Sequence, residues 1–301
     1  MNARLSAQRS SLSGYVQSLR HRPQLWRTLL AAGGGLVIMV LLLGVAAVPI
    51  GRAVDKLIGV TPFDPANPSF TIGFWAAGNL LIALLVPVSM LLHKLAYGAA
   101  PGALSSIAGR FRWVVLARAA AVVLPPWLVY ALIIQPSLGT GSPRWTALNI
   151  VLCLVALVTI PLQSAGEEFL FRGLIFRAIG ARFARPVVAF IIATTITALQ
   201  FGLIHGASDR WAVGYYVAAG ISFAVLAERT GGLEVPVLIH AVNNTVLLVP
   251  VILAGELATV SAPTGPVVVV PVIVLAIMTF VLWRMTPWLT KVTREREEVP
   301  V

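Results

Sequence analysis

Residues 147–172 read ALNIVLCLVALVTIPLQSAGEEFLFR, an uncharged and largely apolar run from Ala147 to Gly166 that passes directly into Glu167, Glu168 and, one turn on, Arg172. An apolar run of roughly 20 residues is what a helix needs to cross a hydrocarbon core of about 30 Å. Here the charges are set into the end of the run rather than after a polar linker. A charged side chain at the centre of a span costs about 2.5–3.5 kcal/mol on insertion scales, so such groups are retained where they pair or work.

The rest of the chain repeats the apolar pattern. Of 301 residues 58% are hydrophobic and 11% charged, and mean hydropathy is +0.90, whereas soluble domains carry about 25% charged residues. Further spanning windows lie near Leu29–Ile50, Phe70–Leu92, Trp113–Ile134, Val187–Ile204, Trp211–Leu226, Val235–Ala254 and Val267–Trp283. With Ala147–Gln163 they predict an all-α, polytopic membrane helix bundle of about eight spans. Both termini then lie on one side, and 18 of the 22 Lys and Arg residues fall on that side. The positive-inside rule makes that side cytoplasmic.

Three parts are expected: a basic arm over 1–28, a single transmembrane domain over 29–285 with its functional core at about 147–250, and a charged tail over 286–301. Gly51–Ser69 reads as an outer loop because its prolines forbid a continuous helix. Pro125 and Pro126 are expected to kink the third span and Pro161 to bend the fourth. The first span reads as a retained anchor, its basic flank being too long for a cleaved signal peptide. The net charge of +11 reads as topology and attraction to an anionic lipid bilayer. It does not point to nucleic acid, because the arginines are spread over several loops. Cys153 stands alone within a span, which excludes an intrachain disulfide and a cysteine-based zinc site.

Glu168 and Arg172, at i and i+4, can pair if 165–180 is helical. Glu167 then points about 100° away. Two further polar elements are FGLIHG, with Phe201 and His205, and HAVNN, with His240 and Asn244 one turn apart on one face. A lone intramembrane histidine is commonly a helix-to-helix hydrogen bonder. Depth argues for taking the three elements together: Glu167 and His205 lie equally far on either side of Pro186, so a helical hairpin turning there sets them level. His240 falls at a similar depth from the turn at Gly231 and Gly232. A short irregular connection from Gly206 to Arg210 must then rise through the outer half, which protein or a water-filled cavity has to surround. That implies a buried, hydrated pocket facing the cytoplasm. In it Glu167 can act as general base on a water held also by His205, and His240 with Asn244 can donate to the oxyanion of a tetrahedral intermediate. Glu167, His205 and His240 can equally ligate zinc or another divalent metal and lower the pKa of its water to about 7. The sequence leaves the zinc-assisted and metal-free routes both open.

Taken in order, Glu167, Glu168 and Arg172, then Phe201 and His205, then His240 and Asn244 resemble the signature of the CAAX protease and bacteriocin-processing (Abi) family of intramembrane endopeptidases. The likeness spans about Leu157–Val249, a third of the chain. It implies an eight-helix protease; eukaryotic members remove the C-terminal tripeptide of prenylated CAAX proteins, and most bacterial members have no assigned substrate. It also implies that Glu167 is base or metal ligand, that His205 is its partner, that His240 and Asn244 are the oxyanion or metal site, and that Glu168 and Arg172 support them. The expected partner is a membrane-associated protein or peptide substrate. Arginine outnumbers lysine by 19 to 3, which fits a GC-rich bacterial genome and a plasma-membrane location. Two other readings use the same residues. Intramembrane Glu and His build proton relays in transporters, although no inverted repeat is visible here, and a non-catalytic membrane partner or immunity-type protein can keep the fold without the chemistry.

Overall fold

The computed structural model describes residues 14–66, 71–134, 141–257 and 265–291. Among them every regular element is helical, and the single β-bridge is an isolated one between Ser106 and Gly232. Eight helices are long and apolar enough to cross a membrane: α1 Leu25–Leu57, α2 Ile72–Tyr97, α3 Trp113–Ile133, α4 Ala147–Gly180, α5 Pro186–Ile204, α6 Arg210–Thr230, α7 Glu234–Ala254 and α8 Pro266–Leu289. Val37, Val40, Leu132, Ile191, Leu203 and Phe280 point outward with more than half their surface bare. An apolar exterior of this kind is what a lipid solvent selects. The helices run on through Pro125, Pro126 and Pro161.

Two helices outrun their sequence windows. α1 continues to Leu57, past the loop expected from Gly51. Asp55 explains the extension: it is fully buried and accepts from Phe63 N at 3.1 Å, Thr71 Oγ1 at 2.6 Å and Gly73 N at 2.7 Å. One carboxylate thus ties the end of α1 to the start of α2, and the loop prolines act only after Gly59. α4 has 34 residues, about 51 Å at helical rise, and contains a π-helical stretch over Phe169–Ile175. Such wide turns collect at functional sites, and this one follows directly on Glu168.

Packing is uneven along α4. Its first part, up to Glu168, lies mainly on α7 and the first half of α2, while the π-helical stretch and the turn after it meet the second half of α2 and α5. α5 pairs with α6, and α6 with α8. Gly166 lets α4 press on α2, since a Cβ there would collide with the Ile82 carbonyl.

The arm expected over 1–28 is, from Gly14 onward, docked on the bundle. Tyr15 Oη donates to the Leu104 carbonyl at 3.0 Å, Val16 N to Glu228 Oε2 at 2.7 Å and Gln17 Nε2 to the Phe183 carbonyl at 2.7 Å. Arg182 bonds the Pro23 carbonyl and Arg27 the Ala96 carbonyl. Arg177 is buried: it bonds Ser18 Oγ at 2.7 Å and the Ala103 carbonyl at 2.9 Å and lies over the Tyr15 ring. The loop between α2 and α3 closes the same end. Arg112 forks onto Glu234, 2.9 Å to Oε1 and 2.7 Å to Oε2, while Leu233 N bonds the Ser105 carbonyl. Arg4, Arg9 and the ArgGluArgGluGlu run of the tail lie outside the described residues.

Candidate active site

Glu168 and Arg172, predicted to pair, do so at 2.9 Å with both side chains wholly buried. The same oxygen, Glu168 Oε1, lies 2.8 Å from His240 Nδ1. Arg172 spends a second nitrogen on the Gly220 carbonyl at 3.2 Å, and its guanidinium is walled by the rings of Phe171, Phe201 and Phe223. Gly220 permits this approach, because a Cβ there would stand 2.8 Å from Ala198 Cα and 3.3 Å from Arg172 Nη2. A carboxylate fixed by arginine is an acceptor only, so the Nδ1 of His240 carries the proton.

That assignment turns His240 Nε2 toward Glu167, whose Oε2 is 3.5 Å away. Glu167 is turned out of the Glu168–Arg172 pair, as helical geometry requires, and its other oxygen accepts from Gln163 Nε2 at 2.5 Å. Gln163 Oε1 in turn takes a 3.3 Å bond from Ser164 Oγ. The polar line therefore runs Ser164, Gln163, Glu167, His240, Glu168, Arg172, from α4 to α7 and back.

His205, just past the end of α5, is the third component. Its Nδ1 is 2.6 Å from the Phe201 carbonyl, so that nitrogen donates and Nε2 is left with the lone pair in the neutral ring. The imidazole stacks on Tyr216 at 3.8 Å and 15°. Phe201 separates the two histidines, in edge contact with His205 at 4.7 Å and with His240 at 5.7 Å, while Phe223 stacks on His240. Glu167 acts electrostatically on both His205 and Tyr216. Asn244 shares the face of His240 as expected, but its amide oxygen accepts from Asn243 at 3.3 Å. Asn243 is held by the Tyr215 hydroxyl at 2.6 Å. Gln163, Asn243, Tyr215 and Tyr216 went unflagged in the sequence. Gln163, one turn before Glu167 in an apolar helix, carried a usable signal.

The zinc route asks Glu167, His205 and His240 to converge on one point. Among the described residues no three His, Cys, Asp or Glu side chains stand close enough to hold a metal ion. The individual donors have the second partners that metal-bound histidines show. The expected opening toward the arginine-rich end is also revised. Every residue from Gly166 to Ala178 and from Gly231 to Val237 is buried, whereas Gln163, His205, Tyr216 and Asn244 are partly exposed. Docking of 14–24 and of the 101–112 loop closes the first side, and the sparse packing between the first part of α4 and α5 leaves the second open.

An all-helical bundle with eight membrane-crossing helices and a Glu–His–Glu–Arg centre sunk between them is a multi-pass membrane protein built around buried acid–base groups. Residues 146–246, which contain every residue of that centre, match the Rce1-like family model, type II CAAX prenyl endopeptidase Rce1-like. Among curated relatives, the membrane-embedded CAAX protease MroQ of Staphylococcus aureus (strain USA300) is 38% identical over 79 residues, 26% of this chain and 31% of its own length. The protein YyaK of Bacillus subtilis (strain 168), itself uncharacterized, is 31% identical over 102 residues, 32% of this chain and 33% of its own. The chain thus spans about a third of the length of these relatives. No solved structure matches it.

Proposed function

We propose that the chain is an intramembrane endopeptidase that hydrolyses a peptide bond of a membrane-associated protein or peptide. The observation that carries this reading is Glu167, freed from Arg172 by Glu168 and aimed at His240 Nε2. In this scheme a water lies between Glu167 Oε2 and His205 Nε2. Glu167 takes one of its protons as the oxygen attacks the carbonyl carbon. The oxyanion faces the Asn244 amide and His240, whose Nε2 donates when the ring carries a proton on both nitrogens. Glu167 then passes its proton to the departing nitrogen as the C–N bond breaks, leaving a carboxylic acid and an amine. Gln163 holds the carboxylate in place, and Arg172 holds Glu168.

The route runs on the chain's own side chains, supported by a donor set that does not close on a metal. With the arginine-rich end taken as cytoplasmic, both termini face the cytoplasm. His240, six residues into α7, then lies about 9 Å in from that end of the helix. A chain approaching from the lipid past Gln163, His205 and Asn244 meets Glu167 first. Comparing membrane proteomes of cells carrying the wild-type protein and Glu167→Ala is the test: uncut membrane chains accumulate in the variant. Identical proteomes, or Glu167-dependent solute flux in proteoliposomes with no cleavage, would remove the reading.

A further inference from the structure

Ser89, His93 and Tyr97 lie four residues apart along α2 and so form one stripe. All three are buried, Ser89 and His93 completely. Neither the Ser89 hydroxyl nor either nitrogen of His93 has a hydrogen-bond partner among the described residues. The Tyr97 hydroxyl lies toward Thr28, and the His93 and Tyr97 rings are 5.9 Å apart. Thr194 apart, the bundle's helical threonines are treated differently. Thr159, Thr197, Thr230, Thr279 and Thr286 each donate to the carbonyl four residues back, the usual fate of a hydroxyl in an apolar helix. The Ser89 hydroxyl makes no such bond.

A neutral imidazole always presents one donor and one acceptor. In a span, where lipid supplies neither, leaving both bare is disfavoured, and each such group calls for an unseen partner. The charged or titratable groups that act on His93 electrostatically are Arg177 and His21, and Arg177 is committed to Ser18 and to the Ala103 and Leu104 carbonyls. This half of α2 packs on α1 and on the π-helical stretch of α4, where the widened turns free backbone carbonyls from their ordinary partners. A ligand that serves the hydroxyl and one imidazole nitrogen must donate and accept and be small and uncharged, and the other nitrogen, which points to nearly the opposite side of the ring, needs a second such molecule or a backbone group.

We propose that Ser89 and His93, on the half of α2 that packs on the Phe169–Ile175 turns of α4, enclose internal water that pins α2 against the segment presenting Glu168 and Arg172. Buried waters with about three hydrogen bonds are regular components of folded proteins. This one lies on a different helix from the catalytic groups and stands or falls independently of the proteolytic reading.

Hydroxyl-radical footprinting of the full chain in lipid nanodiscs tests it, because radicals generated in place reach a buried side chain only through adjacent water. His93 and Tyr97 are expected to be modified several-fold faster than Phe176, which is equally buried but outside the stripe. Combining Ser89→Ala with His93→Phe abolishes the excess at Tyr97 and lowers the thermal midpoint. Labelling of His93 and Tyr97 at the Phe176 rate in the wild type overturns the proposal. So does a midpoint that stays or rises in the double variant, the behaviour of bare polar groups replaced by apolar ones.

Discussion

His240 Nδ1 lies 2.8 Å from Glu168 Oε1, the oxygen that also receives Arg172. That bond sets the direction of the ring: it spends one nitrogen on a fixed, arginine-neutralised acceptor and leaves the other facing Glu167. The adjacent carboxylates Glu167 and Glu168 therefore have different duties, and substitutions should separate them.

At Glu168 the cost is structural. Glu168→Ala strands Arg172 and one side of His240 in a buried site, and breaking a buried pair by removing one partner costs about 3–5 kcal/mol. A large drop in thermal midpoint is expected, along with lost cleavage. Glu167→Gln keeps volume and hydrogen bonding and should leave the midpoint near wild type. Circular dichroism melts of both proteins in one detergent check the contrast.

In the proposed scheme Gln163, bonded to Glu167, acts through it rather than on substrate. Gln163→Leu should lower kcat by roughly tenfold, the scale of one lost hydrogen bond to a charged group, with KM little changed. Gln163→Glu, when protonated, retains a donor and is expected to recover part of the rate. Steady-state kinetics on a membrane-anchored peptide distinguish this from a packing defect, which would move the melting midpoint as well.

Metal removal supplies a third test. Prolonged chelation followed by dialysis should leave cleavage unchanged, and elemental analysis of active protein should show no stoichiometric zinc. A one-to-one metal content whose removal abolishes activity would show that Glu167, His205 and His240 close up around an ion.

The docked N-terminal segment makes an alkaline prediction. Burial pushes the Tyr15 phenol up to about 12, against an opposing pull from Arg177. The folded state then holds this proton more tightly than the unfolded chain does, so the contribution is whole below about pH 10. It declines as pH rises through about 12, because stability falls wherever the unfolded state binds fewer protons. Tyr15→Phe should flatten the fall in thermal midpoint between those limits. An unchanged slope would mean that Tyr15 is not buried against Leu104 and Arg177.

Hydropathy alone located all eight crossing helices, and helical periodicity alone paired Glu168 with Arg172 and set Glu167 apart. Matching depth brought Glu167 and His240 together from distant stretches of chain. Other features had no local signal. Residues 14–24 look like a basic arm because their docking depends on Glu228, Arg177 and carbonyls that are remote in sequence. Nothing local marks Arg177 as buried for the same reason: its cover comes from Tyr15, Ser18 and Ala103. Periodicity cannot choose between adjacent amides, and here Asn243 takes Tyr215 while Asn244 stays on the open flank. The closed arginine-rich side was missed because depth along a helix says nothing about which loop folds over its end.

The most direct test is cleavage of a membrane-anchored peptide by the full chain in nanodiscs made up in ¹⁸O-labelled water, with Glu167→Gln alongside. Wild-type protein is expected to place one labelled oxygen in the new C-terminal carboxyl, while Glu167→Gln, melting like wild type, should be slower by about 10²–10⁴-fold, the usual weight of a general base. Cleavage by Glu167→Gln at the wild-type rate would contradict the account.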